Sequence, residues 1–254
     1  MSLLVVDGSN ILLRCAFGGD IAPEQATPVA IGMIERGVRE VNASHLIVAI
    51  DHTDAPSWRK LEHPEYKAHR TVSTAAWLIH GAAAMSARGW RVEMTPGFEA
   101  DDVIATIAMR AAERTKTFVL SNDSDLLQLT VANIVVIRPQ SGGAFEHMNA
   151  ESVRAKYEIP DAGMLADYKA MVGETGDNIA GVPGIGGKRA ASLLHKLGKL
   201  DAIIIAGEGG YNRDAELVAL HRETARRALR LVTLRLDAAV PPISPQSCRL
   251  PRRA

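Results

Sequence analysis

Nine acidic residues of this 254-residue chain fall in five short clusters, each just past an apolar run or at the opening of a helix-like stretch: Asp7; Asp51; Glu99, Asp101 and Asp102; Asp123 and Asp125; Glu174 and Asp177. Carboxylates gathered in one place repel. At an effective dielectric near 20, two of them about 5 Å apart cost roughly 3 kcal/mol. Divalent cations remove that cost, and an all-oxygen donor set with no Cys or His cluster favours Mg²⁺ or Mn²⁺ over zinc. The chemistry such sites most often support is in-line displacement at phosphorus.

Taken singly, the clusters are weaker signals. Asp7 in VVDGSN has the Asp-Gly pair of a turn. Gly97-Phe98-Glu99-Ala100-Asp101-Asp102 suits a helix N-terminus, where carboxylates meet free N–H groups and a favourable dipole. One cap needs one carboxylate, however, and three stand within four residues; Asp101 and Asp102 are both expected to face the edge where Asp7 ends. Ser121-Asn122-Asp123-Ser124-Asp125 follows an apolar run, and its alternating Asp pair suits a cation held from one side.

The elements that must position these groups are legible. Leu3–Val6, Leu46–Ile50, Val92–Met94, Phe118–Leu120 and Ile134–Ile137 are short aliphatic runs with polar borders, which read as buried parallel strands. Pro28–Val41, Thr74–Arg88 and Asp102–Arg114 carry apolar residues at helical spacing, giving the alternation of an open α/β sheet. Ligands bind such sheets at the carboxyl ends of the strands, where four of the clusters lie. From about Met148 the pattern is helical only, with a Gly-rich turn at 181–187 and helices around Lys188–Leu197 and Asp214–Leu234. Residues 238–254, with four prolines and Arg249, Arg252 and Arg253, read as a disordered basic tail.

Composition narrows the class. The chain is 47% hydrophobic, enough for one core plus a smaller module, and no apolar stretch approaches the ~18 residues of a membrane span. No charged leader precedes MSLLVVDGSN, so the expected location is the cytoplasm, with Cys15 and Cys248 reduced. Formal charge is zero, 29 basic against 29 acidic residues. Setting the nine clustered carboxylates aside leaves 29 against 20, a basic excess suited to a polyanionic partner. Trp58, Trp77 and Trp90 offer stacking surfaces for bases, but at 4% aromatic content they read first as packing residues.

The most specific stretch is Gly173-Glu174-Thr175-Gly176-Asp177-Asn178 followed by Ile179 to Ala190. Gly181, Gly184 and Gly186 around Val182 and Ile185 resemble the hairpin of helix-hairpin-helix modules, where apolar residues pin the turn and glycines admit a phosphate. Lys188 and Arg189 then open a helix whose N-terminus favours an anion.

With Asp7-Gly8, Asp51 and Arg59, Tyr66-Lys67-Ala68-His69-Arg70, the 97–102 and 121–129 segments and Gly173–Ala190 in that order, the chain resembles the 5′-nuclease superfamily over about residues 3–235: flap endonucleases and the 5′ to 3′ exonuclease domains of bacterial DNA polymerases, with their phage relatives. The resemblance implies an α/β, three-layer, open and mostly parallel PIN-like sheet over 1–147, with a helical arch at about 60–89. A helical helix-three-turn-helix DNA-binding module follows at 148–237. It also implies roles. Asp7, Asp51, Glu99, Asp101, Asp102, Asp123, Asp125, Glu174 and Asp177 match the metal-site carboxylates. Lys67 and Arg70 match basic arch residues that act on the scissile phosphate; Arg59, Gly181, Val182, Gly184, Ile185, Gly186, Lys188 and Arg189 are assigned to DNA binding. Two or more Mg²⁺ ions, replaceable by Mn²⁺, are the expected cofactors, with K⁺ at the Gly181–Gly186 turn. Candidate partners are DNA with 5′ flaps or 5′ ends, an RNA primer on DNA and a separate DNA polymerase, the chain itself being a monomer without membrane contact. Glu174 departs from the Asp of most relatives by one methylene, and the arch segment is a few residues short. The alternatives are a structure-specific DNA-binding protein without catalysis and a PIN-type ribonuclease.

Overall fold

Aliphatic runs too short for helices form strands when both faces can be covered. In the computed structural model, which describes residues 1–19 and 21–250, the five expected runs become β1 (Ser2–Asp7), β2 (His45–Ala49), β3 (Arg91–Glu93), β4 (Lys116–Leu120) and β5 (Ile134–Pro139). A further strand, β6 (Phe145–Met148), lies outside the expected set. It is an edge strand with exposed Glu146 and His147, so it carries no apolar run. The sheet order is β3-β2-β1-β4-β5-β6, parallel except for β6.

Between the strands run α1 (Gly8–Gly19), α2 (Pro23–Glu40), the short α3 (Trp58–Glu62), α4 (Ala75–Ala87) and α5 (Ala100–Ala112). Helix α2 starts at Pro23 rather than at Pro28, because a proline in the first turn loses no helical hydrogen bond. Side chains alternate across the sheet: Leu4, Val6, Leu46, Val48 and Leu120 pack with residues of α1, α2 and α4. Helix α5 buries Val103, Ile104 and Ile107 and contacts β1, β2 and β4.

The chain divides into two compact units. Met1–Trp58, Val72–Asn149 and the chain from Arg235 on form the first; Arg59–Thr71 and Ala150–Leu234 form the second. The residues expected in the arch are thereby shared out. Arg59–Thr71 go with the second unit, while Leu78, Gly81 and Met85 of α4 are buried in the first.

The second unit contains α6 (Ala150–Tyr157), α7 (Leu165–Val172), a hairpin of β7 (Gly173–Glu174) and β8 (Ile179–Ala180), then α8 (Gly187–Leu197), α9 (Leu200–Glu208), α10 (Arg213–Leu220) and α11 (Arg222–Val232). The single helix expected over 214–234 is thus two, broken at His221.

The disordered tail expected over 238–254 is corrected for 238–250. Ala238 donates its N–H to Thr106 Oγ1 at 3.1 Å, Leu250 donates to the Ser44 carbonyl at 3.0 Å, and Pro245–Cys248 form a 3₁₀ turn capped by Ser244. Composition registered the prolines and arginines but not that Ala238, Val240 and Cys248 are buried. Pro251, Arg252 and Arg253 lie outside the described residues.

Candidate metal centre and nucleic-acid interface

The strand order reverses direction at β1, which has β2 on one side and β4 on the other. Connections leaving β1 and β4 therefore diverge and open a crevice at the carboxyl edge. Asp7, the last residue of β1, sits there beside Ala49 of β2. Helix α1 starts at the next residue, where a Cβ on Gly8 would come within 2.6 Å of Val48 and 2.9 Å of the Ala49 carbonyl, so only glycine lets the chain turn so close to β2.

Hydrogen bonds knit the segments at this edge. Ser121 donates to Asp7 Oδ2 at 2.6 Å, and the Asn10 N–H donates to Oδ1 at 2.9 Å. The Ser121 hydroxyl also accepts the Asp123 N–H at 2.9 Å, and Asp123 Oδ1 accepts the Asp125 N–H at 2.8 Å. The Asp51 amide donates to the Ser9 hydroxyl at 2.8 Å, while its Oδ1 accepts the Ala100 N–H at the start of α5 at 2.7 Å.

Asp7 is 3% exposed. Burial pushes its carboxyl up to about 7 against the lowering effect of the Ser121 and Asn10 bonds, and the charges of Asp123 and Asp51 push it further up. Three carboxylates from three different strand ends thus share one electrostatic environment, in which anionic charge is expensive and positive charge welcome.

Glu99 is the N-cap residue of α5, and Asp101 and Asp102 stand in its first turn. The expectation that Asp101 and Asp102 both face the acidic edge is corrected for Asp102. It is fully buried, its Oδ2 accepts the Trp58 indole N–H at 2.9 Å and its Oδ1 accepts the Arg235 backbone N–H at 2.9 Å. Successive helical residues point about 100° apart, so a neighbour of Asp101 must face elsewhere. Asp101 itself is half-buried.

Among the described residues no three carboxylates, histidines or cysteines converge tightly enough to enclose one ion by themselves. Asp7, Asp51, Glu99, Asp101, Asp123 and Asp125 offer only oxygen donors, the kind that hard divalent cations take.

Comparison with known proteins bears directly on this arrangement. Residues 2–158 match the family model described as 5′-3′ exonuclease, N-terminal resolvase-like domain, and residues 161–253 match that described as 5′-3′ exonuclease, C-terminal SAM fold. The chain belongs to the 5′-3′ exonuclease family. DNA polymerase I of Borreliella burgdorferi is 33% identical over 213 residues, 81% of this chain and 23% of the relative. DNA polymerase I of Rhizobium leguminosarum is 30% identical over 254 residues, 92% and 24%. The chain spans about a quarter of the length of these relatives. Among solved structures, the D15 protein of bacteriophage T5, co-crystallised with metal ions, superposes with a TM-score of 0.77 at 22% identity over 91% of this chain and 89% of that one. The catalytic core of Rad2 in complex with DNA gives 0.59 at 12% identity over 92% and 79%. At these identities the likeness is one of fold.

The residues of the second unit expected at the metal site, the arch and the DNA surface have partners of their own. Glu174 pairs with the buried Lys169 at 2.8 Å. Asp177 gathers Arg70 Nη2 at 2.5 Å, Lys67 Nζ at 3.6 Å and the Tyr66 hydroxyl at 3.1 Å, and its carbonyl accepts the Lys67 N–H at 3.0 Å. Lys67 holds a left-handed backbone (φ 52°) to do so. Arg59, expected at the DNA surface, is corrected: it is 3% exposed and donates to the carbonyls of Leu231 at 2.7 Å and Thr233 at 3.4 Å, satisfying the end of α11.

The hairpin before α8 follows from its sequence. Val182 and Ile185 are buried pins. A Cβ on Gly181 would meet the Val172 carbonyl carbon at 2.4 Å, so β7 and β8 close backbone on backbone. Gly184 and Gly186 are exposed, as are Lys188 and Arg189, and α8 begins without a side-chain cap. Its free N–H groups are thus available to an anion. Arg189 also donates to the Gly184 carbonyl at 2.9 Å, bracing the turn.

Sequence reasoning missed the neutral and aromatic members: Asn10 and Ser121, which bond the Asp7 carboxylate, Ser9, which holds the Asp51 backbone, and Tyr66 on Asp177. The hydroxyl and amide residues flanking each Asp in DGSN and SNDSD were the available signal. Of the tryptophans, Trp77 donates to the Ile21 carbonyl and Trp90 packs against the core, consistent with packing rather than stacking. Among the described residues no helix is long and apolar enough to cross a membrane.

Proposed function

We propose that the chain is a structure-specific 5′ nuclease, a flap endonuclease and 5′ to 3′ exonuclease that hydrolyses DNA phosphodiesters near 5′ single-strand/duplex junctions and leaves 5′-phosphate and 3′-hydroxyl ends. The observation that carries this reading is the buried Asp7 at the strand-order reversal, its carboxyl pushed up to about 7 with Asp51 and Asp123 beside it. Membership of the 5′-3′ exonuclease family and the metal and DNA complexes of the structural neighbours support it.

In this reading Asp7, Asp51, Glu99, Asp101, Asp123 and Asp125 hold Mg²⁺, which Mn²⁺ replaces, some of them through water. When bound, a metal pair supplies an activated water and stabilises the leaving oxygen. The chain does the rest. Ser121 and Asn10 fix the two oxygens of Asp7 in place; Asp51 is tied to the start of α5 through the Ala100 N–H. The uncapped N-terminus of α8, with Gly181, Gly184, Gly186, Lys188 and Arg189 and the pins Val182 and Ile185, grips duplex phosphates without base preference. Carbonyls of the same turn hold K⁺. Lys67 and Arg70 serve the phosphate to be cleaved, and Glu174 and Asp177 are the acidic residues that the second unit contributes to cation binding. The substrate is DNA with 5′ ends or flaps, and an RNA primer on DNA and a separate DNA polymerase are further candidate partners.

The test incubates a 5′-labelled flap, a blunt duplex and a matching RNA with the protein in Mg²⁺ or EDTA, alongside the double variant Asp123→Ala, Asp125→Ala. Cleavage of the flap at its base that disappears in EDTA and in the variant is expected. Metal-independent binding without cleavage would leave a DNA-binding protein, and preference for the RNA a ribonuclease.

A further inference from the structure

Arg235 belongs to the first unit although it directly follows the second in sequence, and its guanidinium lies over two aromatic rings, 5.4 Å from the Trp58 centroid and 4.9 Å from that of Phe98. Asp237 grips the same guanidinium through two bonds of 2.8 and 2.6 Å. The backbone N–H of Arg235 and the indole N–H of Trp58 meet on the two oxygens of the fully buried Asp102. One helical turn further along α5, Thr106 receives the Ala238 N–H.

The two rings come from the segments that carry the acidic residues. Phe98 is adjacent to Glu99, and Trp58 follows Asp51 by seven residues. The Trp58 N–H donates to the Gly97 carbonyl at 2.8 Å, and Asp51 Oδ1 accepts the Ala100 N–H at 2.7 Å. The first turn of α5 is therefore tied to the 51–58 segment through backbone, carboxylate and indole, with the Arg235 side chain closing the stack. A cation over ring faces adds attraction. A buried carboxylate bonded on both oxygens is a rigid anchor, because any movement of the turn leaves it unpaired.

We propose that Trp58, acting through Asp102, and Arg235, acting through the Trp58 and Phe98 rings, are positioning residues for the metal-binding carboxylates Glu99, Asp101 and Asp51. This rests on the nuclease reading above. Coordination by a hard cation tolerates little error in ligand placement, and partners that orient ligands commonly govern metal affinity by a factor of ten or more. Removing the clamp thus acts on metal binding before it acts on DNA binding.

The experiment uses the full chain. Trp58→Phe keeps a ring but deletes the N–H on Asp102; Arg235→Lys keeps the charge and the backbone bond but loses the planar stack; Asp102→Asn keeps the shape and turns one acceptor into a donor. Mn²⁺ binding is measured by calorimetry or electron paramagnetic resonance, thermal melting separately, and flap cleavage at limiting and excess Mn²⁺. The expected result is Mn²⁺ affinity weakened about tenfold in each variant, with kcat recovered in excess Mn²⁺ and KM for the flap unchanged. Variants that melt lower yet bind Mn²⁺ as the wild type does would overturn the positioning role and leave a structural one. Should Trp58→Phe fail to fold, Arg235→Lys, altered only beyond the backbone, decides the matter in the same way. A wild-type protein that neither binds Mn²⁺ nor cleaves would overturn the nuclease reading and this inference together, an outcome distinct from unaffected variants of an active enzyme.

Discussion

Arg70 holds the carboxylate of Asp177 at 2.5 Å, with Lys67 on the other oxygen at 3.6 Å. The two cations assigned to phosphate are thus neutralised by an acid of their own unit. In the nuclease reading a DNA phosphate competes with Asp177 for them.

Asp177→Asn should therefore separate binding from catalysis. Without the competing charge, the guanidinium of Arg70 loses its carboxylate partner, so affinity for a flap at low salt should rise by about threefold, and the dependence of log affinity on log salt should steepen by about one ion. Cleavage should fall by at least about tenfold if the carboxylate serves the metals. Fluorescence anisotropy across a salt series, run beside a cleavage assay, reads both. Weaker binding with an unchanged salt slope would show that Asp177 merely orients the segment.

Asp7 makes the metal-free protein sensitive to pH in a direction opposite to that of an ordinary surface acid. Its folded value of about 7 lies above the ordinary 3.8, so the folded chain binds this proton more tightly than the unfolded one. The stability it contributes is complete below about pH 4 and is lost as pH rises through 7, a change on the order of 4 kcal/mol. Urea denaturation in EDTA from pH 4 to 8.5 should show that decline, and Mn²⁺ should restore stability at the alkaline end. Asp7→Asn should flatten the profile and remove the Mn²⁺ effect. A wild-type profile that rises over the same range would contradict the burial of a charged Asp7.

How far residues foretold this site depended on what each signal encodes. That Asp7 and Asp123 meet at one sheet edge was legible because each follows an aliphatic strand. Asp102 was misread, since adjacency in sequence says nothing about which side of a helix a side chain takes. Arg59 was misread for a related reason: charge suggests a surface, yet its guanidinium is buried on the carbonyls of Leu231 and Thr233, partners some 170 residues away that local pattern does not encode. The strands were legible from their aliphatic runs, whereas β6 and the packed stretch after Arg235 were not. Their order comes from pairing and burial against distant elements, while their composition is that of loops.

Ser121 links two acids with one hydroxyl, donating to Asp7 and accepting from the Asp123 N–H. Ser121→Ala removes both bonds in a fully buried position, at a cost of about 2 to 3 kcal/mol in stability. The lost bond is one that lowers the Asp7 carboxyl, so its pKa should climb above 7. In the cleavage assay, the acidic limb of the pH profile should move to higher pH. Carbon-13 titration of the Asp7 carboxyl checks the direction independently of activity, and a downward shift would be incompatible with the donor role.

Arg59→Ala tests the reassignment of that arginine from DNA contact to structural tie. Two carbonyls at the end of α11 lose a charged donor in a place water reaches poorly, so unfolding free energy should drop by about 2 to 4 kcal/mol. Affinity of the folded fraction for a flap should stay within about twofold, and the salt slope should not change, because no phosphate contact is lost. Anisotropy titrations below the melting temperature, scaled to the folded fraction from circular dichroism, separate the two effects. A slope reduced by about one ion at unaltered stability would place Arg59 on DNA after all, and would require the bonds to Leu231 and Thr233 to open when the nucleic acid binds.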